Sequence, residues 1–388
     1  MSDFDFTSFL KLMVHKKASD LFITVGVAPS LKVQGRIVPI TQSPLSVQQA
    51  REMVLNVMTP TQREEFERTH ECQFAISASG VGRFRVSCFY QRNCVGMVLR
   101  RIESKIPTME ELNLPPVLKQ LSMTKRGIVV LVGGTGTGKS TSLAAMLGYR
   151  NQNSTGHIIT IEDPIEYVHK HEGCIVTQRE LGIDTDSWEN ALKNTLRQAP
   201  DVIMIGEVRT RETMEHAINF AETGHLVMCT LHANNANQAI DRIIHFFPED
   251  RRQQLFMDLS LNLKGIVAQQ LIPTPDGTAR RIAVEVMLGT PLVQDYIRQG
   301  EIHKIKEVMK ESGNLGMRTF DQSLVELYHA GEISYEDALR HADSSNEVRL
   351  RIKLAQGGDA HTLAQGLDGV ELVETGESRS LGSGLLHR

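Results

Sequence analysis

Short runs of consecutive apolar residues recur through the second part of the chain, separated by stretches with helical spacing. Four of them are clear: 127–132 (GIVVLV), 157–162 (HIITIE), 201–206 (DVIMIG) and 225–231 (HLVMCTL). Runs that are apolar throughout fit strands covered by helices on both faces, as in a parallel sheet. The pattern therefore predicts an α/β domain built on such a sheet.

The stretches between and after these runs predict helices. Asp186 and Glu189 have the spacing of a capping box, which predicts a helix over 188–197. The spacing of apolar residues predicts two further helices, over 235–246 and 248–271.

The N-terminal part of the chain has a different pattern. A helix is predicted over 5–15, and the stretches 31–38 and 84–89 alternate apolar and polar residues, which is typical of half-buried strands. We therefore expect a small α+β domain over residues 1–105.

Prolines and glycines then suggest how the rest of the chain is divided. Three prolines within 106–116 predict a hinge linker, followed by a second domain over 117–356. Residues 357–388 contain seven glycines among 32 residues and show little periodicity. They predict a flexible tail, with or without a role of its own.

Charge and cysteine content exclude several classes of protein. In the 388 residues, 42 Lys and Arg face 46 Asp and Glu, so the net charge is −4. A dedicated nucleic-acid-binding protein normally has a basic surface, so we expect no nucleic acid as a partner. The five cysteines are odd in number and include no CxxC pair, which predicts reduced thiols, no disulfide framework and no zinc.

The chain also lacks the patterns of export and membrane insertion. Its first residues, MSDFDF, are acidic before they are apolar, unlike a secretory signal. Charges interrupt every apolar run before it reaches the 18 or so residues that a membrane-spanning helix needs. We therefore expect a cytoplasmic protein whose association with any membrane goes through a partner.

A phosphate-binding loop is the strongest chemical signal. The sequence GGTGTGKST at 133–141 matches GxxxxGK[ST] and follows the apolar run 127–132, and a dinucleotide-binding GxGxxG does not fit. The residues expected to bind nucleotide are Gly133, Gly134, Thr135, Gly136, Thr137, Gly138, Lys139, Ser140 and Thr141. Glycines let the backbone N–H groups surround phosphate oxygens, and Lys139 neutralises their charge. Ser140 supplies a hydroxyl ligand for Mg²⁺.

Polar residues follow the other apolar runs, where ligands of a parallel sheet bind. Glu207 and Glu166 can supply the two carboxylates that an NTPase needs, one beside Mg²⁺ and one for the attacking water, and the residues alone leave the division open. Asp163 could equally be a helix cap. His232 is placed to sense the γ-phosphate, whereas His225, roughly 23 Å away along a strand, could be a structural histidine.

Six motifs together resemble the secretion and pilus-motor ATPase superfamily, and within it the type IV pilus retraction ATPases of the PilT/PilU family. The similarity spans roughly residues 1–350, and the motifs are SDLFITVG (19–26), RFRVSCF (83–89), GGTGTGKST (133–141), ITIEDPIEY (159–167), DVIMIGEVR (201–209) and AETGHLVMCTLHA (221–233). The resemblance implies a PAS-like N-terminal domain, a RecA-like P-loop ATPase domain with C-terminal helices, and a homohexamer that hydrolyses ATP with Mg²⁺.

The resemblance also assigns roles to single residues. It implies that Glu166 activates water and that Glu207 binds Mg²⁺. It also implies that His225 and His232 act in nucleotide sensing or at the subunit interface. Arg85 and Arg100 are similar to arginine fingers that reach the phosphates of a neighbouring subunit.

Some positions differ from the usual retraction motor. Gly134 stands where proline is common, Thr210 replaces an aspartate, and Val284 replaces a histidine. The segment PLVQDYIRQ at 291–299 replaces an AIRNLIRE-like motif. These differences favour the accessory member of the family, which implies help to a primary retraction ATPase in twitching motility and contact with an inner-membrane pilus platform protein. The rivals are a binding-only regulatory subunit and another RecA-like secretion, conjugation or DNA-translocating ATPase.

Overall fold

A computed structural model describes residues 6–103 and 105–355, so the tail predicted at 357–388 lies outside the described residues. The strands are β1 (Asp20–Ile23), β2 (Ser30–Val33), β3 (Arg36–Pro39), β4 (Glu71–Ala78), β5 (Gly82–Gln91), β6 (Cys94–Ile102), β7 (Gly127–Val132), β8 (Gly156–Glu162), β9 (Cys174–Glu180), β10 (Val202–Ile205), β11 (Leu226–Leu231), β12 (Leu263–Pro273) and β13 (Arg280–Leu288). The helices are α1 (Phe6–His15), α2 (Val47–Asn56), α3 (Pro60–Thr69), α4 (Val117–Ser122), α5 (Lys139–Asn153), α6 (Trp188–Thr195), α7 (Arg211–Glu222), α8 (Ala236–His245), α9 (Arg252–Asn262), α10 (Pro291–Gln299), α11 (Ile305–Glu311), α12 (Phe320–His329), α13 (Tyr335–Arg340) and α14 (Ser345–Ala355).

The N-terminal part forms an antiparallel six-stranded sheet in the order β3-β2-β1-β6-β5-β4. Along β5, buried side chains alternate with more exposed ones, as predicted for 84–89. Helices α1, α2 and α3 supply apolar residues to the same core, including Met13, Val54 and Phe66. This part is therefore α+β, as the sequence predicts.

The second sheet has the order β13-β12-β7-β11-β10-β8-β9, with every neighbouring pair parallel except β12 and β13. The four apolar runs form its centre, as β7, β8, β10 and β11. Every residue of β7 is buried, and its side chains alternate between two apolar cores: Ile128 and Val130 enter one, Val129 and Leu131 the other. The prediction of a parallel sheet covered on both faces is confirmed.

Two predicted elements are wrong because a turn or a strand interrupts them. The stretch 31–38 is not one strand: Gln34 and Gly35 have φ of 49° and 80°, which makes a tight turn between β2 and β3. The helix predicted over 248–271 is only α9. Residues from Leu263 onward form β12 instead, because this part of the chain pairs with β7 on one side and β13 on the other.

The start of α6 also differs from its prediction. Ser187, not Asp186, is the N-cap, and its side chain accepts a hydrogen bond from the backbone N–H of Asn190. The α-helix ends at Thr195, and a 3₁₀ turn follows over Leu196–Gln198. By contrast, α8 has the predicted position, with Asn235 as its N-cap.

The segment between the two sheets contains neither strand nor helix from 105 to 116, and α4 begins directly after Pro116. The division of the chain into domains at 106–116 stays a prediction. Nowhere in 6–103 or 105–355 is a helix long and apolar enough to cross a membrane.

Candidate nucleotide-binding site

The loop between β7 and α5 owes its shape to glycines. Gly133, Gly136 and Gly138 have φ of 152°, 77° and 89°, a region that residues with a Cβ rarely adopt. A Cβ on Gly133 would lie 2.5 Å from the Thr137 hydroxyl oxygen and 2.7 Å from the carbonyl oxygen of Gln269. Gly134 has no such constraint, since its nearest contact would be at 3.8 Å. Gly134 thus has room for a side chain, whereas Gly133 does not.

Lys139 begins α5 and is buried against this loop. Its Nζ donates hydrogen bonds to the carbonyl oxygens of Gly133 and Gly134, at 2.9 and 2.7 Å. Burial lowers the pKa of Lys139, and the nearby carboxylate of Glu207 opposes that shift. The ammonium group is therefore held at the loop, next to an acidic side chain.

A cavity of about 640 Å³ opens beside the loop at the carboxyl ends of the parallel strands. The predicted site residues on its wall are Thr135, Gly136, Gly138, Lys139, Ser140, Thr141, Glu166, Glu207 and His232. They come from the ends of β7, β8, β10 and β11, which the sheet order brings side by side. The structure thus brings most of the predicted site together.

Glu207 joins two other side chains at the end of β10. One of its carboxylate oxygens accepts a hydrogen bond from the Arg209 guanidinium at 2.7 Å, and the other lies 3.0 Å from His232 Nε2. The Glu207 side chain is 17% exposed, so the carboxylate sits at the cavity wall rather than in bulk water. His232, predicted as a phosphate sensor, is therefore in contact with the predicted metal-side carboxylate.

Two glutamates of the β8 end have contrasting surroundings. Glu162 is buried and accepts hydrogen bonds from the Thr160 hydroxyl at 2.7 Å and from the Gln178 amide at 3.1 Å. Burial raises its pKa to about 7. Glu166 is exposed in the same cavity. The accessible carboxylate is the one free to meet a nucleotide and water.

Three predicted residues lie elsewhere. His225 precedes β11 at the opposite end of the sheet from the loop, and its Nδ1 lies 3.1 Å from both the Phe220 carbonyl oxygen and the Thr223 hydroxyl. Arg85 and Arg100, on β5 and β6, do not contribute to the wall of the cavity either. Within the chain, these three do not join the phosphate loop.

The wall also contains several residues that the sequence did not predict. Arg101, Arg209 and Arg280 bring positive charge to the cavity, and the Tyr167 hydroxyl lies 3.0 Å from that of Thr141. Adjacent residues of a strand point to opposite faces of the sheet. The neighbouring arginines at 100 and 101 therefore indicated that one of the two could face the cavity. Arg280 lies far from the site motifs in the sequence, and no sequence pattern indicated that it lines the cavity.

The donor set fits Mg²⁺ bound together with a nucleotide. This ion prefers oxygen ligands and takes only one or two from the protein when phosphates supply the others. The Ser140 hydroxyl is exposed at the start of α5, and the Glu207 carboxylate lies on the same cavity wall. Two protein oxygens are therefore available where the phosphate loop would hold a nucleotide.

Comparisons with known proteins agree with this geometry. Residues 6–346 match the family model described as "Type II/IV secretion system protein". The chain is 67% identical to the type IV pilus ATPase PilU of Pseudomonas aeruginosa, over 96% of this chain and 97% of that protein. It is 41% identical to the type IV pilus retraction ATPase PilT of the same organism, over 87% of this chain and 98% of that protein.

A solved structure, of the pilus retraction motor PilT with bound ADP, superposes with a TM-score of 0.83 at 38% identity, covering 89% of this chain and 99% of that one. It confirms the predicted RecA-like fold, and that solved structure contains bound ADP. The higher identity to PilU than to PilT agrees with the predicted accessory branch. The chain belongs to the type II/IV secretion ATPase family and, within it, to the PilT/PilU group of type IV pilus ATPases.

Proposed function

We propose that this protein is an accessory motor ATPase that hydrolyses ATP to help a primary retraction ATPase retract type IV pili. The observation that carries the proposal is the 67% identity to PilU over nearly the whole chain, in a fold whose phosphate loop, Glu166, Glu207 and His232 share one cavity. ATP hydrolysis is the activity that the loop and two carboxylates can perform.

The residues of the cavity divide the chemistry between them. The loop N–H groups and Lys139 bind the β- and γ-phosphates and neutralise their charge. Glu166, whose carboxylate is exposed, orients the attacking water and accepts its proton. Ser140 and Glu207 would hold Mg²⁺, whose charge offsets that of the phosphates. His232 is in contact with Glu207 and links the metal-side carboxylate to the end of β11.

The arginines on the N-terminal sheet act between subunits in this proposal. Arg85 and Arg100 lie outside the cavity of their own chain, which supports donation to the nucleotide of a neighbour. Such a residue stabilises charge on the transferring phosphoryl group. In this proposal ATP is hydrolysed by a homohexamer, and His225 lies at or near the interface between its subunits.

The accessory role rests on α10. The segment 291–299, which replaces the AIRNLIRE-like motif, forms this helix and contributes nothing to the nucleotide cavity. Its divergence therefore leaves the groups that hydrolyse ATP in place. The partners we propose are a primary retraction ATPase and an inner-membrane pilus platform protein, and the protein is cytoplasmic and reaches the membrane through them.

Measuring ATP turnover by the purified chain, alone and with a primary retraction ATPase, tests the proposal. We expect turnover by the chain alone and pilus retraction that is strengthened when both proteins are present. Nucleotide binding without turnover would favour a regulatory subunit instead. Salt-sensitive binding to DNA would favour a DNA-translocating ATPase.

A further inference from the structure

A buried carboxylate joins the two sheets. Glu180, the last residue of β9, has a side chain that is only 3% exposed, and it lies between two arginines of β5. The Arg85 Nε lies 3.4 Å from one of its carboxylate oxygens and an Arg83 Nη lies 3.9 Å from the other. Two positive charges thus share one negative charge between the N-terminal sheet and the parallel sheet.

These ion pairs are long. Charge-assisted hydrogen bonds normally measure about 2.7–2.9 Å. The Nε atoms of Arg83 and Arg85 and one carboxylate oxygen of Glu180 are buried and have no hydrogen-bond partner. Buried polar atoms without partners raise the free energy of the state that contains them. The network therefore holds Arg85 by charge attraction, without a well-aligned hydrogen bond between the guanidinium groups and the carboxylate.

The network also holds the chain next to a candidate catalytic residue. Arg85 donates a hydrogen bond of 3.0 Å to the carbonyl oxygen of Ile165. Burial raises the pKa of Glu180, and the charges of Arg85 and Arg83 and the Ile165 amide oppose that shift. Ile165 precedes Glu166 in the chain. An Arg85 side chain held in this position is engaged within its own subunit.

We propose that Glu180 is a positioning residue that holds Arg85 on its own subunit, so that Arg85 alternates between this latch and the nucleotide of a neighbouring subunit. The inference rests on the proposed role of Arg85 between subunits. Release of the latch lets the N-terminal sheet move away from the Ile165 segment, which couples arginine donation to movement between the two sheets. Glu180 thereby sets the fraction of time for which Arg85 is available.

Two substitutions change the latch in opposite directions. Glu180→Gln removes the charge that holds Arg85, so we expect kcat for ATP to rise about threefold with an unchanged KM. Arg83→Gln removes the second cation and leaves Arg85 as the main partner of Glu180, so kcat falls by a similar factor. Glu189→Gln on exposed α6 changes the net charge equally and serves as the matched control, with wild-type turnover.

A third variant connects the effect to Arg85. Adding Arg85→Ala to Glu180→Gln should reduce turnover to that of Arg85→Ala alone. A merely structural Glu180 predicts instead that Glu180→Gln and Arg83→Gln both lower kcat and the melting temperature. If Glu180→Gln does not fold, turnover of Arg83→Gln at or above wild type contradicts the latch.

The two failures can be told apart. Wild-type turnover by Arg85→Ala would contradict the proposed role of the arginine between subunits. A low turnover by Arg85→Ala, together with no gain in Glu180→Gln, would contradict the latch and leave that role in place.

Discussion

Arg85 and Arg100 lie directly opposite each other on neighbouring strands, as Cα partners of β5 and β6. Like charges at such a cross-strand position repel. Each arginine has its own carboxylate: Arg85 lies 3.4 Å from Glu180, and Arg100 donates a hydrogen bond of 2.9 Å to Asp20 on β1. The repulsion between the two guanidinium groups is therefore offset by two separate carboxylates.

This pairing leads to a test of donation between subunits. A chain carrying Arg85→Ala and Arg100→Ala should bind ATP but hydrolyse it poorly, because the arginines stabilise charge that develops during transfer. Mixing it with a Lys139→Ala chain should restore partial turnover, since some intact loops then face intact arginines. Verified mixed rings without recovered turnover would contradict donation between subunits.

Lys139→Ala should lower ATP turnover by a factor on the order of 10²–10³, the usual cost of removing a group that stabilises transferring charge. The melting temperature should change little, because the Lys139 side chain donates its hydrogen bonds to carbonyl oxygens of its own loop. Lys193→Ala on α6 removes an exposed lysine outside the cavity and should keep wild-type turnover. Turnover by Lys139→Ala at the wild-type rate would contradict the phosphate site.

Glu166→Gln and Glu207→Gln should both reduce turnover, but with different dependence on Mg²⁺. The Glu166 variant loses the acceptor for the water proton and should bind Mg·ATP normally. The Glu207 variant should need more Mg²⁺ for half-maximal binding, because a carboxylate oxygen beside the ion is lost. Magnesium titrations of nucleotide binding check this, and a metal defect in the Glu166 variant would exchange the two roles.

Gly133→Ala and Gly134→Ala form a matched pair. The first places a Cβ 2.5 Å from the Thr137 hydroxyl oxygen at φ 152°, and the second meets nothing nearer than 3.8 Å. Strain of 1–3 kcal/mol at the first position should weaken nucleotide affinity by about tenfold or more, and Gly134→Ala should stay near wild type. Calorimetric titration with ADP measures both, and equal affinities would mean that the loop relaxes around Gly133.

Glu285 should make stability depend on pH. Its carboxyl group is buried on β13, accepts hydrogen bonds from the N–H groups of Ala236 (2.7 Å) and Phe320 (3.4 Å), and has a pKa raised by burial to about 7. A raised folded-state pKa means that its stabilisation is complete below about pH 4.5 and is lost as pH rises through 7.

The matching experiment is chemical denaturation of the wild type and of Glu285→Gln. Between pH 4.5 and 7.5, the free energy of unfolding of the wild type should fall relative to that of the variant by about 3 kcal/mol. Glu336→Gln, at an exposed glutamate of α13, keeps Glu285, so its free energy of unfolding should follow the same pH dependence as that of the wild type. Parallel pH curves for the wild type and Glu285→Gln would contradict the raised pKa.

Local patterns were enough for the centre of the fold. The run 127–132 is β7 residue for residue, because a strand buried on both faces needs apolar side chains at every position. The phosphate loop was equally readable, since its glycines are required by backbone sterics rather than by distant contacts. Glu207 and His232 were predicted to lie at the site because the carboxyl ends of parallel strands meet at one edge of the sheet.

Other features depended on neighbours that a local pattern does not contain. Residues 263–271 are apolar enough for either a helix or a strand, and pairing with β7 and β13 decides for the strand. Ser187 and Asp186 are both good caps, and only the backbone geometry at 187 selects one of them.

The contacts between distant parts of the chain were decided by the tertiary structure alone. Sequence motifs identified the loop, Glu166 and Glu207, whereas the cavity wall also includes Arg101 and Arg280. The hydrogen bond from Arg85 to Ile165 spans 80 residues of sequence. Sequence by itself determined which residues carry charge and which strands are buried, because these depend on side-chain chemistry and short-range periodicity. The packing of one sheet against the other decided which charged side chains meet. The periodicity of the sequence does not encode the distance between residues that lie far apart along the chain.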